Sequence, residues 1–342
     1  MSFDPNAAAT ADSGIFGLTV PAEQSAVVLV PIPFDATTSY RPGTALGPQA
    51  ILEASRQVDL YDVNFGRPYR GGIHLLPLSP EVQRWNREAR HLAVPVIAAG
   101  GVGLSPSLRE AAGRVDIYGA EVNTWVEEQV ETWLDKGKIV GCVGGDHSTP
   151  FGAIKVLSER YPELGVLHID AHADLRDAYE GFKWSHASIM YNVLHQLPGV
   201  ARLVQVGIRD VGEDEVALIQ GEKGRVTTFF DTEFAHRQFA GVHWADMVAQ
   251  ILRNLPDKVY VSFDIDGLDP ALCPHTGTPV PGGLSFHQAE FLLGELARSG
   301  RTIVGFDLNE VAPGPEGDEW DANVGARVLY KLIGATLRSR QA

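Results

Sequence analysis

The sequence predicts an α/β fold in which a mostly parallel sheet is covered by helices on both faces. Short apolar runs typical of buried strands alternate with stretches of helical period after residue 138. Three of these runs are followed at once by aspartate and histidine, and sites in open parallel sheets form at the carboxyl ends of the strands. Such alternation indicates βαβ units, so the helices are expected on both sides of the sheet.

The elements follow one another in a regular order. A first strand is expected at residues 26–31, followed by a helix within residues 42–60 that Gly47-Pro48 opens. Residues 64–115 carry many prolines and glycines without a sustained period, so loops with short elements are expected there. Residues 122–134 have helical spacing, and Gly137 is the expected stop.

The second half of the chain supplies most of the sheet. Further strands are expected near residues 139–144, 164–170, 202–207, 226–230, 258–264 and 302–307. Further helices are expected near residues 149–160, 186–196, 243–254, 285–298 and 322–337.

The predicted domain organisation is an N-terminal arm over residues 1–24 and a single domain over residues 25–342. The arm is small, polar and interrupted by proline and glycine, which is typical of a flexible lead-in. Although 342 residues could form two average domains, one large α/β domain is equally ordinary, and no internal repeat or linker divides the sequence.

Composition excludes several classes of partner. With 43 acidic and 28 basic residues, the net charge of −15 argues against nucleic acid and anionic membrane and favours a cationic small molecule. The two cysteines are too few for a disulfide framework, which predicts a cytoplasmic location. The first residues do not resemble a signal peptide, and no apolar stretch is long enough to span a bilayer.

Three polar clusters directly follow predicted strands. They read Gly144-Gly145-Asp146-His147-Ser148, Asp170-Ala171-His172-Ala173-Asp174 and Ser262-Phe263-Asp264-Ile265-Asp266. With Asp146 set aside, six side chains can converge on one crevice: His147, Asp170, His172, Asp174, Asp264 and Asp266. Imidazole and carboxylate ligands suit two divalent ions such as manganese, nickel or zinc.

The alternative for each residue alone is structural. A single aspartate at a strand end is usually a turn former or a helix cap, and a single histidine is more often a satisfied surface or core residue. The conjunction favours metal, because four neighbouring buried carboxylates without cations would repel one another in a low dielectric. A pair of metal ions holds and deprotonates a bridging water, which indicates hydrolysis.

Two further residues are candidates for the same site. His186 lies in the loop after Asp174, where a histidine can relay protons near neutral pH. Glu310 follows the strand predicted at 302–307, so its carboxylate can face a cationic group of a substrate. Asp266 is a second proton-transfer candidate beside His186, since a ligand carboxylate lies beside the water that reacts.

These motifs, in this order and spacing, resemble the ureohydrolase family of arginases and agmatinases, over about residues 26–337. The other segments that carry the resemblance are Pro33-Phe34-Asp35-Ala36-Thr37-Thr38, Arg41-Pro42-Gly43, Asp174-Leu175-Arg176-Asp177, Tyr179-Glu180-Gly181, Asp269-Pro270, Thr276-Gly277-Thr278-Pro279, Gly282-Gly283-Leu284 and Asn309-Glu310-Val311-Ala312-Pro313. The agmatinase branch is the most similar, through Asp-Leu-Arg-Asp and Ser185-His186.

The resemblance implies a three-layer α/β/α fold with an eight-stranded parallel sheet. It implies two divalent ions per subunit, usually manganese with nickel as the alternative, and homotrimers or homohexamers. The six residues named above match the family's metal ligands. His186 matches its proton-shuttling histidine, and Glu310 matches its guanidinium-binding glutamate. The implied reaction is agmatinase-like cleavage of a guanidino C–N bond, which releases urea and an amine or ammonia.

Departures from agmatinases concern the substrate. His275 stands where agmatinases usually carry glycine, and Met190-Tyr191-Asn192 replaces a segment that is often arginine-rich. This pattern resembles a subclass of guanidine-type hydrolases, so free or methylated guanidine and 4-guanidinobutyrate are alternative substrates. The tail of the substrate is expected to meet Trp184, Tyr191 and His275.

Other functions remain as alternatives. A non-catalytic subunit of a hetero-oligomer is less favoured, because a protein without activity is expected to lose ligands and all six are present. His147 and the Asp264/Asp266 pair argue for a second metal and against a one-metal amide hydrolase of the deacetylase type. Hydrolysis of a formimidoyl group fits Ser185-His186 less well than the agmatinase reaction does.

Overall fold

Eight strands form one sheet in the computed structural model, which describes residues 4–222 and 224–341. They are β1 (Val27–Ile32), β2 (Ile73–Leu75), β3 (Ile139–Gly144), β4 (Leu164–Ile169), β5 (Val200–Ile208), β6 (Val226–Phe230), β7 (Lys258–Asp264) and β8 (Thr302–Asn309). Their order is β2-β1-β3-β8-β7-β4-β5-β6, and every neighbouring pair is parallel.

The central strands are buried on both faces. Every residue of β1, β3 and β4 is buried, which explains why their sequences are continuous apolar runs rather than alternating ones. Alternate residues still serve different cores: Val27 and Leu29 pack into one apolar cluster, whereas Val28 and Val30 pack into the other.

Helices cover both faces and complete the predicted three layers. One face carries α1 (Gly47–Ser55), α7 (Asp231–Phe239), α8 (Trp244–Arg253), α9 (Phe286–Arg298) and α10 (Trp320–Ser339). The other carries α2 (Pro80–Ala98), α3 (Pro106–Asp135), α4 (Phe151–Arg160), α5 (Ile189–Gln196) and α6 (Glu213–Gly221). Among the described residues, no helix is long and apolar enough to cross a membrane.

The prediction of loops with short elements over residues 64–115 was wrong. This region contains β2 at the sheet edge, α2 and the first part of α3, whose expected portion at 122–134 is only its second half. The buried face of α2 is made of alanine and valine, so large apolar residues do not mark its period. A signal was present: Ser79 and Ser105 each cap a helix that begins with proline, a pattern that favours helix starts.

The N-terminal lead-in is packed rather than free from Ser13 onward. Phe16 is buried, its backbone N–H donates to Ser55 Oγ at 2.9 Å, and its ring lies 4.8 Å from that of Tyr330. Arg56 also donates to the carbonyl of Ser13. The division into an arm over 1–24 and a domain over 25–342 stays a prediction.

Four central strands bring the polar clusters together. β3, β8, β7 and β4 are consecutive in the sheet, and because all are parallel, their carboxyl ends meet at one edge. His147, Glu310, Asp264 and Asp170 each lie at or just after one of these ends. The sheet therefore places the predicted site residues within one crevice.

Candidate metal centre

The deepest part of the crevice is a group of side chains around His147. Its Nδ1 atom lies 2.9 Å from Asp170 Oδ2, 3.2 Å from Asp264 Oδ2 and 3.5 Å from Asp174 Oδ2. All four side chains are almost fully buried. Four ligand atoms thus face a common point, and we call these four residues the inner group.

The hydrogen bonds of His147 fix which of its nitrogens carries the proton. Ser262 Oγ donates its single proton to Asp307 Oδ1 at 3.1 Å. Ser262 Oγ can therefore only accept from His147 Nε2, which lies 2.9 Å away. In the neutral ring, a proton on Nε2 leaves Nδ1 with a lone pair directed at three carboxylate oxygens. Such an arrangement is repulsive unless a cation lies between these atoms, and this chemistry fits a metal ion.

A second group lies nearer to solvent and shares Asp170 with the first. His172 Nδ1 lies 3.1 Å from Asp266 Oδ2 and 3.5 Å from Asp170 Oδ1. The ligand atoms of Asp170, His172 and Asp266 lie within 4.8 Å of one another. The His172 side chain is 25% exposed, so this outer group, formed by these three residues, is open to the crevice.

Backbone N–H groups orient most of the carboxylates. Asp170 Oδ1 accepts from His172 N at 2.6 Å, Asp264 Oδ1 from Asp266 N at 2.8 Å, and Asp266 Oδ1 from Ala171 N at 3.0 Å. One oxygen is thereby held by the main chain, and the other is presented to the centre. The Oδ2 atom of Asp174 is buried with no hydrogen-bond partner, as expected of an oxygen that awaits a cation.

The pKa values of the buried ligands also indicate that the cluster lacks positive charge. Burial, together with the charge of Asp170, raises the pKa of Asp174 well above its usual value, and burial with the charges of Asp266 and Asp170 does so for Asp264. Burial alone would lower the pKa of His147, but Asp170 and Asp264 raise it well above 6.5. The cluster therefore takes up protons unless cations compensate its carboxylates.

Two of the site residues have left-handed backbone conformations. Asp174 has φ 54° and Glu310 has φ 62°, values that are uncommon for residues other than glycine and cost about 1–3 kcal/mol each. Neighbouring contacts hold Glu310 in this conformation, because its N–H donates to Gly145 O at 2.8 Å and its carbonyl accepts from Thr276 at 2.7 Å. Such strain is typical of functional sites.

Glu310 and His186 lie next to each other beside the metal groups. Glu310 Oε1 accepts from His147 N at 3.0 Å and lies 3.9 Å from His186 Nδ1. Glu310 Oε2 is buried without a partner, and burial with the charge of Asp146 raises the pKa of Glu310 well above its usual value. Burial, aided by the charge of His172, lowers the pKa of His186 to about 3. The other nitrogen of His186 lies 3.3 Å from Ser39 Oγ.

The crevice opens through two cavities that share walls. The inner cavity, of about 150 Å³, is lined by the predicted metal ligands His172 and Asp174, by His186 and by Thr278, among others. A larger cavity, of about 550 Å³, adjoins it, and Arg176, Tyr179 and Glu215 line both. The larger cavity therefore adds space beside His172 and His186 for a molecule too long for the inner cavity alone.

Of the three residues expected at the substrate tail, only Tyr191 lines a described cavity. Trp184 packs instead on Phe151, with 4.8 Å between ring centroids. His275 is held by Asp321, whose carboxylate accepts from the backbone N–H of His275 at 2.8 Å and lies 2.9 Å from its Nδ1. Trp184 and His275 line neither of these two cavities, so their contact with the tail stays a prediction.

Sequence reasoning missed several polar residues that support the cluster. His168, Gln205, Ser262 and Asp307 lie within the buried strands β4, β5, β7 and β8 and have essentially no exposed surface. A usable signal was available, because a polar residue inside a strand that is otherwise continuously apolar needs a buried partner.

Comparisons with known proteins place the chain in a family. The profile described as the arginase family matches residues 25–334, so the chain belongs to the arginase family. It is 33% identical over 316 residues to an N(1)-aminopropylagmatine ureohydrolase of Thermus thermophilus, a match that covers 92% of this chain and 91% of that protein. It is 32% identical to the agmatinase of Bacillus anthracis over 292 residues, 85% of each chain.

Solved structures agree with the fold. The agmatine ureohydrolase of Thermoplasma volcanium superposes with a TM-score of 0.72 at 24% identity, covering 98% of this chain and 96% of that chain. The proclavaminate amidino hydrolase of Streptomyces clavuligerus superposes with a TM-score of 0.70 at 23% identity, covering 98% and 100%. At these identities the structures support the three-layer fold and its eight-stranded sheet.

Proposed function

We propose that this protein hydrolyses a guanidino C–N bond and releases urea together with an amine or ammonia. The observation that carries the proposal is the pair of ligand groups joined at Asp170, which sit beside the unpartnered carboxylate oxygen of Glu310. The names of the relatives, ureohydrolase and agmatinase, support the same reaction class.

The metal part of the proposal assigns ligands to two divalent ions. His147, Asp170, Asp174 and Asp264 would hold one ion, and His172, Asp170 and Asp266 would hold the other. Histidine nitrogen and carboxylate oxygen in this mixture suit manganese, with nickel as the alternative. Two such ions, when bound, lower the pKa of water and stabilise developing negative charge.

The protein groups then bind and orient the substrate. Glu310 Oε2 is free to accept hydrogen bonds from the planar donors of a guanidinium. The positive charge of the guanidinium would also stabilise the ionised form of this buried carboxylate, whose pKa is otherwise raised. Because Glu310 Oε1 is fixed by His147 N, its position relative to the inner group is set by the backbone. The guanidino carbon is thereby held between Glu310 and the metal groups.

Proton transfer is assigned to Asp266 and His186. Asp266 Oδ2 faces the outer group and can take a proton from the attacking water. His186 is neutral at physiological pH because of its low pKa, so one of its nitrogens can give a proton while the other accepts one. Its two nitrogens face Glu310 and Ser39, and this position beside the proposed guanidinium-binding carboxylate supports the assignment.

The experiment that tests the function is a urea-release screen on protein loaded with manganese or nickel. Its panel contains agmatine, 4-guanidinobutyrate, arginine, free guanidine and methylated guanidines. We expect release from at least one guanidine by the purified chain alone. If the pure, metal-loaded chain releases no urea from any of them, the non-catalytic alternative is favoured.

The proposed assembly is a homotrimer or a homohexamer, and the proposed location is the cytoplasm. Cys142 and Cys273 are both buried free thiols, in keeping with a reducing compartment. Sedimentation of the purified protein distinguishes the two assemblies by mass, and fractionation of the producing cells tests the location.

A further inference from the structure

A histidine outside the proposed ligand set touches the carboxylate that joins the two groups. His168 interrupts the apolar run of β4 just before Ile169 and is fully buried. Its Nε2 lies 2.9 Å from Asp170 Oδ2, the oxygen that also faces His147 Nδ1 at 2.9 Å. By distance alone, His168 could be a fifth member of the inner group, because its ligand atom lies within 4.8 Å of those of His147, Asp170 and Asp174.

The side chain of Gln205, which contacts His168, determines whether His168 Nε2 can bind a metal ion or instead donates a hydrogen bond to Asp170. Gln205 Nε2 donates to the backbone carbonyl of Ala173 at 2.7 Å, and Gln205 Oε1 accepts from Thr228 Oγ1 at 2.8 Å. A carbonyl oxygen can only accept, so the orientation of the Gln205 amide is determined. The second hydrogen on Gln205 Nε2 then points at His168 Nδ1, 3.1 Å away.

This chain of hydrogen bonds fixes the protonation of His168. Since Nδ1 accepts from Gln205, the single proton of the neutral ring is on Nε2, where it is donated to Asp170. A protonated nitrogen cannot bind a metal ion.

We propose that His168 is a positioning residue that sets the orientation of Asp170, and that Gln205 and Thr228 lock His168 in the donating form. Asp170 Oδ2 accepts from His168 while Oδ1 accepts from His172 N, so the carboxylate is held at both ends and cannot rotate. Asp170 Oδ2 keeps one lone pair for a metal ion in the inner group, and Asp170 Oδ1 keeps one for a metal ion in the outer group. The proposal rests on the metal centre of the proposed function but not on the identity of the guanidine.

The first test measures metal affinity on metal-free protein titrated with Mn²⁺ under equilibrium dialysis. We expect His168→Leu to weaken binding at the inner group by about 10–100-fold, the usual effect of removing such a supporting partner. His168→Gln, whose amide can donate to Asp170 from a similar position, is expected to remain within a few-fold of wild type. His195→Gln on the exposed end of α5 is the matched control and should change nothing.

The second test is ¹⁵N NMR of metal-free wild-type protein labelled at histidine, which reports the tautomer whether or not His168→Leu folds. We expect His168 to carry its proton on Nε2, and Gln205→Leu to weaken this preference. A proton on Nδ1 in the wild type, unchanged affinity in a folded His168→Leu, or equal losses in His168→Gln and His168→Leu would each overturn the proposal. A wild type that binds both ions but releases no urea would refute the proposed function alone.

Discussion

The base of the site and its rim are built in different ways. The base, meaning the inner group with Glu310, stands at the ends of four adjacent strands, and each of its residues is at most 5% exposed. The rim consists of residues 175–180, Tyr191 and residues 212–215, which line the larger cavity. Arg176, Asp177 and Glu213 on the rim are exposed.

This difference separates two tasks. At the base, main-chain donors hold Glu310, Asp170 and Asp264, and all of the side chains are buried, so any change there disturbs charge that has little access to water. On the rim, solvent can replace a lost contact. Arg176, for example, is 45% exposed, lies 3.5 Å from Glu215 and stacks on Tyr179. We therefore expect changes at the base to affect the chemistry and changes on the rim to affect the choice of substrate.

The largest effect is expected from the carboxylates at the base. Asp170→Asn and Asp264→Asn should remove bound metal and abolish turnover, because a neutral amide cannot replace a carboxylate between cations. Elemental analysis of reconstituted protein and urea release are the measurements. Asp177→Asn, a rim change of the same chemistry, should keep the wild-type metal content and the release of urea from free guanidine, and should alter at most the ranking among larger substrates. A wild type that never holds more than one ion per subunit would refute the two-metal arrangement.

His186 should come next. His186→Ala is expected to keep both ions and to slow turnover by roughly 10²–10⁴-fold, the usual scale for a general acid–base residue. Its ring lies 3.9 Å from Glu310 and makes no close contact with the inner group, so metal content should be unaffected. Turnover equal to the wild type across the whole pH range would remove His186 from the mechanism.

Glu310→Gln should lower kcat/KM for every guanidine by roughly 10–100-fold, the loss expected when a charged hydrogen bond of about 1.5–3 kcal/mol is weakened. The amide keeps the shape of the side chain and, through its oxygen, the hydrogen bond from His147 N. The measurement is steady-state kinetics on the whole panel. A loss confined to some of the substrates would show that Glu310 does not bind the shared head group.

The base was largely predictable from sequence. Parallel strands end at one edge, so aspartates and histidines that follow apolar runs must meet there, as His147, Asp170 and Asp264 do. Details that depend on tertiary contacts were not predictable. The left-handed conformations of Asp174 and Glu310 and the hydrogen bonds of His168 arise only once neighbouring strands are paired.

The rim and the region before β3 were harder to predict for a physical reason. The sequence of α2 buries small residues, and its proline at 95 lies inside the helix, so composition suggested loops. On the rim, Trp184 was expected at the substrate but packs against Phe151 and Gly119. Aromatic residues in loops are equally suited to core packing and to binding, and only the fold distinguishes the two.

The smallest effect is expected at Tyr191, and it tests the separation of base and rim most directly. Tyr191 lines the larger cavity and stacks on His195 at 4.0 Å, so Tyr191→Ala removes a wall of the space available to a substrate tail. We expect turnover of free guanidine, which has no tail, to stay within about twofold, and the ranking among agmatine, 4-guanidinobutyrate and arginine to change by a few-fold, as for the loss of a partial apolar contact. Trp184→Phe and His275→Gln serve as controls, since neither residue lines the cavities, and both should preserve the ranking. If Tyr191→Ala slows all substrates equally, including free guanidine, the rim contributes to the chemistry and the separation is wrong.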